Sequence, residues 1–277
     1  MGDEMKKIAI FANDQDISTK IAKDLLLELD LVGLQVIEEG EIADYIVSIG
    51  GDGTLLSAFH HFQKQIEFSQ FIGIHTGHLG FYTDWMGHEI KQVVASILAN
   101  EEESVSYPLL DVQINMMDGS KKTYLALNEC TLRSHRKTMV CHVNINDRFF
   151  ETFRGDGLCV ATPTGSTGMN KSLGGAVIHP CLDAIQMTEM ASVNNRIYRT
   201  LSSPIVLPPD EWFDLELAHQ EEPVDLTIDN LFWSDQTVRS IRLQLSKKRI
   251  QFASFRHRHY WDRVEEAFLG NKLEHKE

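Results

Sequence analysis

The sequence predicts a protein in two parts, an α/β domain built on a parallel sheet followed by a mainly β domain. Three observations carry that expectation. Over the first hundred residues, short apolar strand-like runs alternate with amphipathic helical ones. Beyond residue 100, strand-like runs follow one another with turn residues between them. A glycine-rich run, Gly50-Gly51-Asp52-Gly53-Thr54, stands where a strand passes into a helix.

In chain order, strands are expected at 7–12, 44–49 and 71–75, and helices at 17–29, 54–62 and 89–98. The last helix shows Ile90, Val93, Val94, Ile97 and Leu98 at helical spacing. Strands separated by helices imply a parallel sheet with both faces covered, and ligands of such sheets gather at the carboxyl ends of the strands, where Gly50–Thr54 falls. The acidic run Asn100-Glu101-Glu102-Glu103-Ser104 reads as a surface connection. Strands then follow at 110–116, 123–132, 140–145, 149–153, 158–161, 215–217, 224–228, 238–245 and 250–255. Asp118-Gly119 and Asn146-Asp147 supply turn chemistry. One helical interruption is expected at 183–191 and a terminal helix at 260–269. The expected boundaries are 1–100 for the α/β domain, 101–255 for the β-rich domain and 256–277 for a C-terminal segment.

Apolar residues at 43% and charged residues at 24% of 277 are ordinary for a globular protein. No run approaches the roughly 20 apolar residues of a membrane span, so no membrane partner is expected. No apolar stretch at the start resembles a signal peptide. Cys130, Cys141, Cys159 and Cys181 show no C-x-x-C spacing. They read as small core residues rather than a disulfide framework or zinc site, and a cytoplasmic location follows as the expectation. A net charge of −14 argues against nucleic-acid binding. The charge is uneven, however. Residues 1–100 carry 6 basic and 15 acidic side chains, whereas 239–263 carry 8 basic side chains against Asp262 alone. A locally cationic stretch in an acidic protein attracts a small polyanion.

Four clusters carry chemistry. The glycines around Asp52 let backbone N–H groups reach phosphate oxygens at a helix start. A pure phosphate cradle would not include an acid, so Asp52 points to a hydroxyl or metal beside the phosphates. Thr162-Pro163-Thr164-Gly165-Ser166-Thr167-Gly168, continuing through Met169-Asn170-Lys171-Ser172, combines hydroxyls with glycines that allow close approach of a ligand. Gly165, Lys171 and Ser172 have Walker A spacing, but Asn170 replaces the second glycine and the setting is β-rich. Asn128-Glu129 offers directional hydrogen bonds to sugar hydroxyls, although taken alone the pair reads better as part of a surface strand. Arg154-Gly155-Asp156-Gly157 offers an anion contact and an acceptor, although a hairpin corner explains it equally well. His75 and His78 lack a third metal ligand at convincing spacing. Phe81 and Tyr82 could form an aromatic wall for a base or a nicotinamide ring.

Together and in this order, these clusters resemble the bacterial NAD kinase family, in particular its short Gram-positive forms. The resemblance runs through Gly50–Thr54, Gly77-His78-Leu79-Gly80-Phe81, Asn128-Glu129, Arg154–Gly157, Thr162–Gly168 and Glu189-Met190-Ala191. The Gly-Gly-Asp-Gly-Thr turn alone is shared with lipid kinases and phosphofructokinases. The resemblance implies phosphorylation of the 2′-hydroxyl on the adenosine ribose of NAD by ATP or polyphosphate, with a divalent cation such as Mg2+, giving NADP. It implies a Rossmann-like first domain, a β-sandwich-like second one and a C-terminal segment that returns to the first.

Carried over by position, Asp52 would be the general base and Gly53 a backbone contact. Asn128 and Glu129 would hold the adenosine portion. Arg154, Asp156, Thr167, Gly168, Met169, Asn170, Lys171 and Ser172 would line the dinucleotide site, with Ala191 and Tyr198 near a base. Similar enzymes are homotetramers whose sites borrow residues from a neighbour. Two positions depart from the family: Met169 replaces a tyrosine, and His75 stands where Asn is frequent. Asn230 falls where a His or Gln usually contacts NAD, and is carried over to that contact. Two other readings share parts of the pattern, a lipid or sugar-phosphate kinase and a non-catalytic NAD(P)-sensing module. A hydride-transferring dehydrogenase lacks support, because Phe11-Ala12-Asn13-Asp14 follows the first strand instead of Gly-x-Gly-x-x-Gly.

Overall fold

A computed structural model describes residues 6–37, 40–77, 80–99, 104–256 and 259–270. The expected acidic connection at 100–103, together with His78 and Leu79, lies outside the described residues. The elements run β1 (Lys7–Ala12), α1 (Asp16–Leu31), β2 (Gln35–Val36), β3 (Tyr45–Ile49), α2 (Asp52–His61), β4 (Gln70–His75), β5 (Trp85–Met86) and α3 (Ile90–Ala99). They continue with β6 (Ser104–Met116), β7 (Lys121–Ala126), β8 (Glu129–Arg133), β9 (Met139–Ile145), β10 (Arg148–Gly155), β11 (Gly157–Ala161), α4 (Met169–Ser172) and β12 (Ile185–Met190). The last are β13 (Ile205–Leu207), β14 (Trp212–Leu217), β15 (Val224–Ile228), β16 (Leu231–Gln236), β17 (Val238–Ala253) and α5 (Tyr260–Phe268).

The chain divides into two units, one of residues 1–106 with 249–277 and the other of residues 107–248. In the first, β2, β1, β3 and β4 lie side by side and parallel, and β5 and the last residues of β17 also pair parallel to β4. The pleat of β3 explains the layering. Tyr45, Val47 and Ile49 join a core with Ile21, Leu25 and Leu29 of α1 and Val93, Val94 and Ile97 of α3. Ile46 and Ser48, one residue out of phase, are buried on the opposite face. Residues 249–253, expected in the β-rich domain, belong to this unit because Gln251 and Phe252 pair with Gln70 and Phe71. Arg249 is anchored there too, with its guanidinium donating to the Ser106 hydroxyl (2.9 Å) and carbonyl (3.1 Å).

The second unit is a sandwich. One sheet contains β10, β9, β14 and the first part of β17 in antiparallel order, with β6 and β7 as a further antiparallel pair. The other sheet runs β13-β12-β11-β8-β15-β16. Alternate residues of both sheets meet in one core that includes Val112, Leu132, Val143, Phe153, Val160, Met187, Phe213, Leu226 and Ile241. The Asn146-Asp147 turn has positive φ at both residues (52° and 60°) and joins paired Ile145 and Arg148, as a two-residue hairpin requires.

Three expectations are corrected here. Residues 183–191 do not form a helix: β12 is a central strand between β11 and β13, and Ile185, Gln186, Met187 and Thr188 are all buried. Two-sided burial gives a strand no alternation by which to recognise it. The expected strand at 123–132 is two strands, interrupted at Leu127-Asn128. The strands expected at 238–245 and 250–255 are one, β17, because the polar residues between them leave the extended backbone unbroken. Cys130, Cys141 and Cys159 are buried as expected of core residues, whereas Cys181 is exposed.

Phe213, fully buried in the sandwich core, should on replacement by Ala cost about 3–5 kcal/mol. Phe232→Ala, at a position 60% exposed, should stay within about 0.5 kcal/mol. Urea unfolding of the two variants measures the contrast.

Candidate active site

In the first unit, β3 is buried along its whole length and is followed by Gly50, whose N–H donates to the Ile74 carbonyl at 2.9 Å. Gly51 precedes α2 and Asp52 is its first residue, so an acid occupies the end of the helix where the backbone dipole favours one. The carboxylate is held by two consecutive peptide groups. Phe81 N–H donates to Oδ2 at 2.8 Å and Tyr82 N–H donates to Oδ1 at 3.0 Å. Gly80 makes this approach possible, since a Cβ on it would lie 2.2 Å from Asp52 Oδ1. Each carboxylate oxygen accepts more than one hydrogen bond, so the two N–H groups orient Asp52 without exhausting it. On either side, Gly51 and Gly53 are exposed, with no described residue within 4 Å of a Cβ built on them. Among the described residues the carboxylate is fixed from one side, and the glycines flanking it are exposed.

The expected aromatic wall divides. Phe81 is partly buried, its ring 6.4 Å from Tyr260 and 5.9 Å from Phe268. Tyr82 is buried and stacks on Phe252 at 5.8 Å with an interplanar angle of 7°. His75 is also buried. Among the described residues no group of three or more His, Cys, Asp or Glu is placed to hold a metal ion.

In the second unit, the interruption at Leu127-Asn128 is gripped from two directions. From one side comes Asp229, in the two-residue turn between β15 and β16, with a left-handed φ of 52°. Its Oδ2 accepts Leu127 N–H at 2.9 Å, and its Oδ1 accepts Asn128 N–H at 2.7 Å and Glu129 N–H at 3.2 Å. From the other side comes the Thr162–Gly168 loop. Thr162 N–H donates to the Asn128 carbonyl at 2.8 Å. The hydroxyls of Thr162 and Thr164 both donate to the Leu127 carbonyl, at 2.6 and 3.0 Å. A Cβ on Gly165 would sit 2.0 Å from the Asn128 carbonyl oxygen, so only glycine lets these two segments touch. Sequence reasoning missed Asp229; the available signal was an acid placed in a tight turn between two apolar runs, beside Asn230, which is exposed.

Glu129 lies beside this clamp, partly buried. Burial, and then the negative charge of Asp229, push its carboxyl up to about 8. The geometry gives the same assignment: three N–H groups compensate Asp229, whereas Glu129 Oε2 is buried without a hydrogen-bond partner. Burial thus favours the protonated form of Glu129, in which it is a donor as well as an acceptor.

The stretch Thr167 to Ser172 also divides. Met169, Lys171 and Ser172 are exposed and Thr167 and Gly168 partly so, but Asn170 is buried and its amide donates inward to the Ser166 (3.3 Å) and Ala176 (3.4 Å) carbonyls. Gly168 borders Glu129, since a Cβ on it would lie 3.0 Å from Oε2.

The remaining expected residues form a separate group. Arg154 stacks on Tyr198, with 4.2 Å from guanidinium carbon to ring centroid. The Arg154 carbonyl accepts Val193 N–H, and Asp156 N–H donates to the Met190 carbonyl next to Ala191, itself at φ 46°. Strand register places this group. Ala161 pairs with Glu129 at one end of β11, and Gly157 pairs with Met190 at the other. Asp156 and Thr162 are six positions apart along extended chain, roughly 20 Å. The structure thus gathers Asn128, Glu129, Gly168 and Asn230 at one end of β11, and Arg154, Asp156, Ala191 and Tyr198 at the other. A groove of about 550 Å³ elsewhere in this unit is lined by residues such as Asn115, Lys121, Asp214 and Arg242 and includes none of the motif residues.

Comparison with known proteins gives this arrangement its context. Residues 4–102 match the family described as the ATP-NAD kinase N-terminal domain, and residues 127–252 the ATP-NAD kinase C-terminal domain. The chain is 48% identical over 269 residues to the NAD kinase of Latilactobacillus sakei, covering 97% of this chain and 99% of that protein. It is 47% identical over 265 residues to the NAD kinase of Enterococcus faecalis, covering 95% and 99%. Among solved structures, yeast NADH kinase complexed with NADH superposes with a TM-score of 0.83 at 20% identity, covering 98% of this chain and 89% of that one. An NAD kinase from Archaeoglobus fulgidus in complex with ATP superposes with a TM-score of 0.69 at 21% identity, covering 89% and 92%. The structural likenesses speak for the fold; the extent and identity of the sequence matches establish that the chain belongs to the NAD kinase family.

Proposed function

We propose that the protein transfers the γ-phosphoryl group of ATP to the 2′-hydroxyl of the adenosine ribose of NAD, forming NADP. The observation that carries this reading is the Asp52 carboxylate, oriented by two N–H groups in a turn whose flanking glycines are open. A ribose hydroxyl is a poor nucleophile at neutral pH. Asp52 accepts its proton as the oxygen attacks phosphorus, a contribution of about 10²–10⁴ in rate. Positioning and charge neutralisation supply the larger remainder. Asn128, Glu129 and Gly168, with Asn230, hold the sugar and base of the dinucleotide, Glu129 as a neutral carboxyl. Met169, Lys171 and Ser172 present the exposed face of their loop to it, and Phe81 offers its ring to a base.

A divalent cation carried on the nucleotide's phosphates fits the described residues, since it requires one or two carboxylates and no protein cage. Bound in that way, it neutralises phosphate charge. We place the enzyme in the cytoplasm, in keeping with its three buried free thiols. We further propose a homotetramer in which Arg154, Asp156, Ala191 and Tyr198 complete the site of a neighbouring copy. Their position, roughly 20 Å along β11 from Asn128 and Glu129, supports that reading.

Asp52→Asn should lower kcat by about 10²–10⁴ while calorimetric NAD affinity stays within a few-fold. Incubation with magnesium and either ATP or polyphosphate should yield NADP from NAD and no phosphorylated product from diacylglycerol. The opposite pattern selects the lipid-kinase reading, and NAD binding without a product selects the sensing module. Mixing impaired Asp52→Asn with impaired Arg154→Ala subunits should raise activity above that of either variant alone if sites are shared between copies. No such rise in demonstrated mixed oligomers would refute the sharing.

Glu129 has a raised folded-state pKa, so its contribution to stability is full below 4.5 and is lost as the pH rises through about 8. Urea unfolding at pH 5 and pH 9 should show wild type losing stability relative to Glu129→Gln across that interval.

A further inference from the structure

The peptide groups that hold Asp52 are themselves held from behind by the terminal helix. Arg263 of α5 is 5% exposed. Its Nη1 donates to the Phe81 carbonyl at 2.8 Å and to the Gly80 carbonyl at 3.4 Å, and its Nη2 pairs with the Asp84 carboxylate. Phe81 is therefore bound on both edges of its backbone, N–H to Asp52 and C=O to Arg263. Its ring is flanked by Tyr260 and Phe268 of the same helix. The 80–84 segment is irregular, and its restraints include bonds from Gly80 N–H to the Thr83 hydroxyl (3.0 Å) and from Asp84 N–H to the Gly73 carbonyl (3.2 Å). A planar guanidinium reaching two carbonyls and a carboxylate fixes that segment as a flexible ammonium cannot.

We propose that Arg263 is a positioning residue for phosphoryl transfer: through the carbonyls of Gly80 and Phe81 it fixes the N–H groups that aim the Asp52 carboxylate. The inference rests on the reading of Asp52 as general base. A general base works only within hydrogen-bond reach of the proton it takes, and displacement by about 1 Å can cost roughly 10²-fold in rate.

The test uses full-length Arg263→Lys and Arg263→Ala enzyme. Arg263→Lys should lose about 10²-fold in kcat with the KM for NAD changed less than about threefold and circular dichroism unchanged. Arg263→Ala should lose more and regain a measurable part of its kcat on addition of guanidinium ion. In an Asp52→Asn background, Arg263→Lys should lower the residual rate no further, because the group it positions has gone. Wild-type kcat in a folded Arg263→Lys enzyme overturns the proposal. So does equal loss of kcat and NAD binding, absence of guanidinium rescue, or unfolding of both variants at the assay temperature, any of which leaves Arg263 a structural residue only. Full activity of Asp52→Asn alone would instead refute the general-base reading, so the two failures are distinct.

Discussion

A carboxylate accepting hydrogen bonds from consecutive backbone N–H groups is the constraint on which the motif residues of each unit depend. Asp52 does this for residues 81 and 82, and Asp229 for residues 127 to 129. Irregular segments near a binding surface leave peptide groups without sheet or helix partners, and a buried unpaired N–H is costly. A charged acceptor satisfies two or three of them together and draws the chain into one conformation. In each case a glycine removes the Cβ that would prevent contact: Gly80 against Asp52, and Gly165 against Asn128. The glycines of the motifs thus serve packing between segments as much as access for a ligand.

The second unit shows how such a constraint alters the chemistry beside it. With Asp229 committed to the backbone, Glu129 is the carboxyl left without compensation, and burial favours its neutral form. The resulting group resembles an amide more than a carboxylate, able to give one hydrogen bond and receive others. Adjacent Asn128 has the same duality. The pair is suited to diol recognition, where each hydroxyl both donates and accepts.

Much of this was legible in the sequence. Alternating strands and helices gave the parallel sheet, and Asn146-Asp147 gave its hairpin. The ordered glycine and hydroxyl motifs gave the family. What escaped was long-range. β12 reads as a helix because a strand buried on both faces loses its period of two. The break at Leu127-Asn128 is imposed by Asp229 about a hundred positions later and by Thr162 about thirty-five later, and no local pattern announces either. The division of the expected residues between the two ends of β11 needed strand register, which motif order does not contain.

The link between Arg263 and the 80–84 segment joins positions 179 to 183 apart. During synthesis, the acid and its glycine turn leave the ribosome well before the guanidinium that braces them has been made. A polypeptide terminated ahead of α5 would retain every signature by which its relatives are recognised, yet lack that brace. Intact hallmarks in a truncated gene are therefore no assurance of a working product.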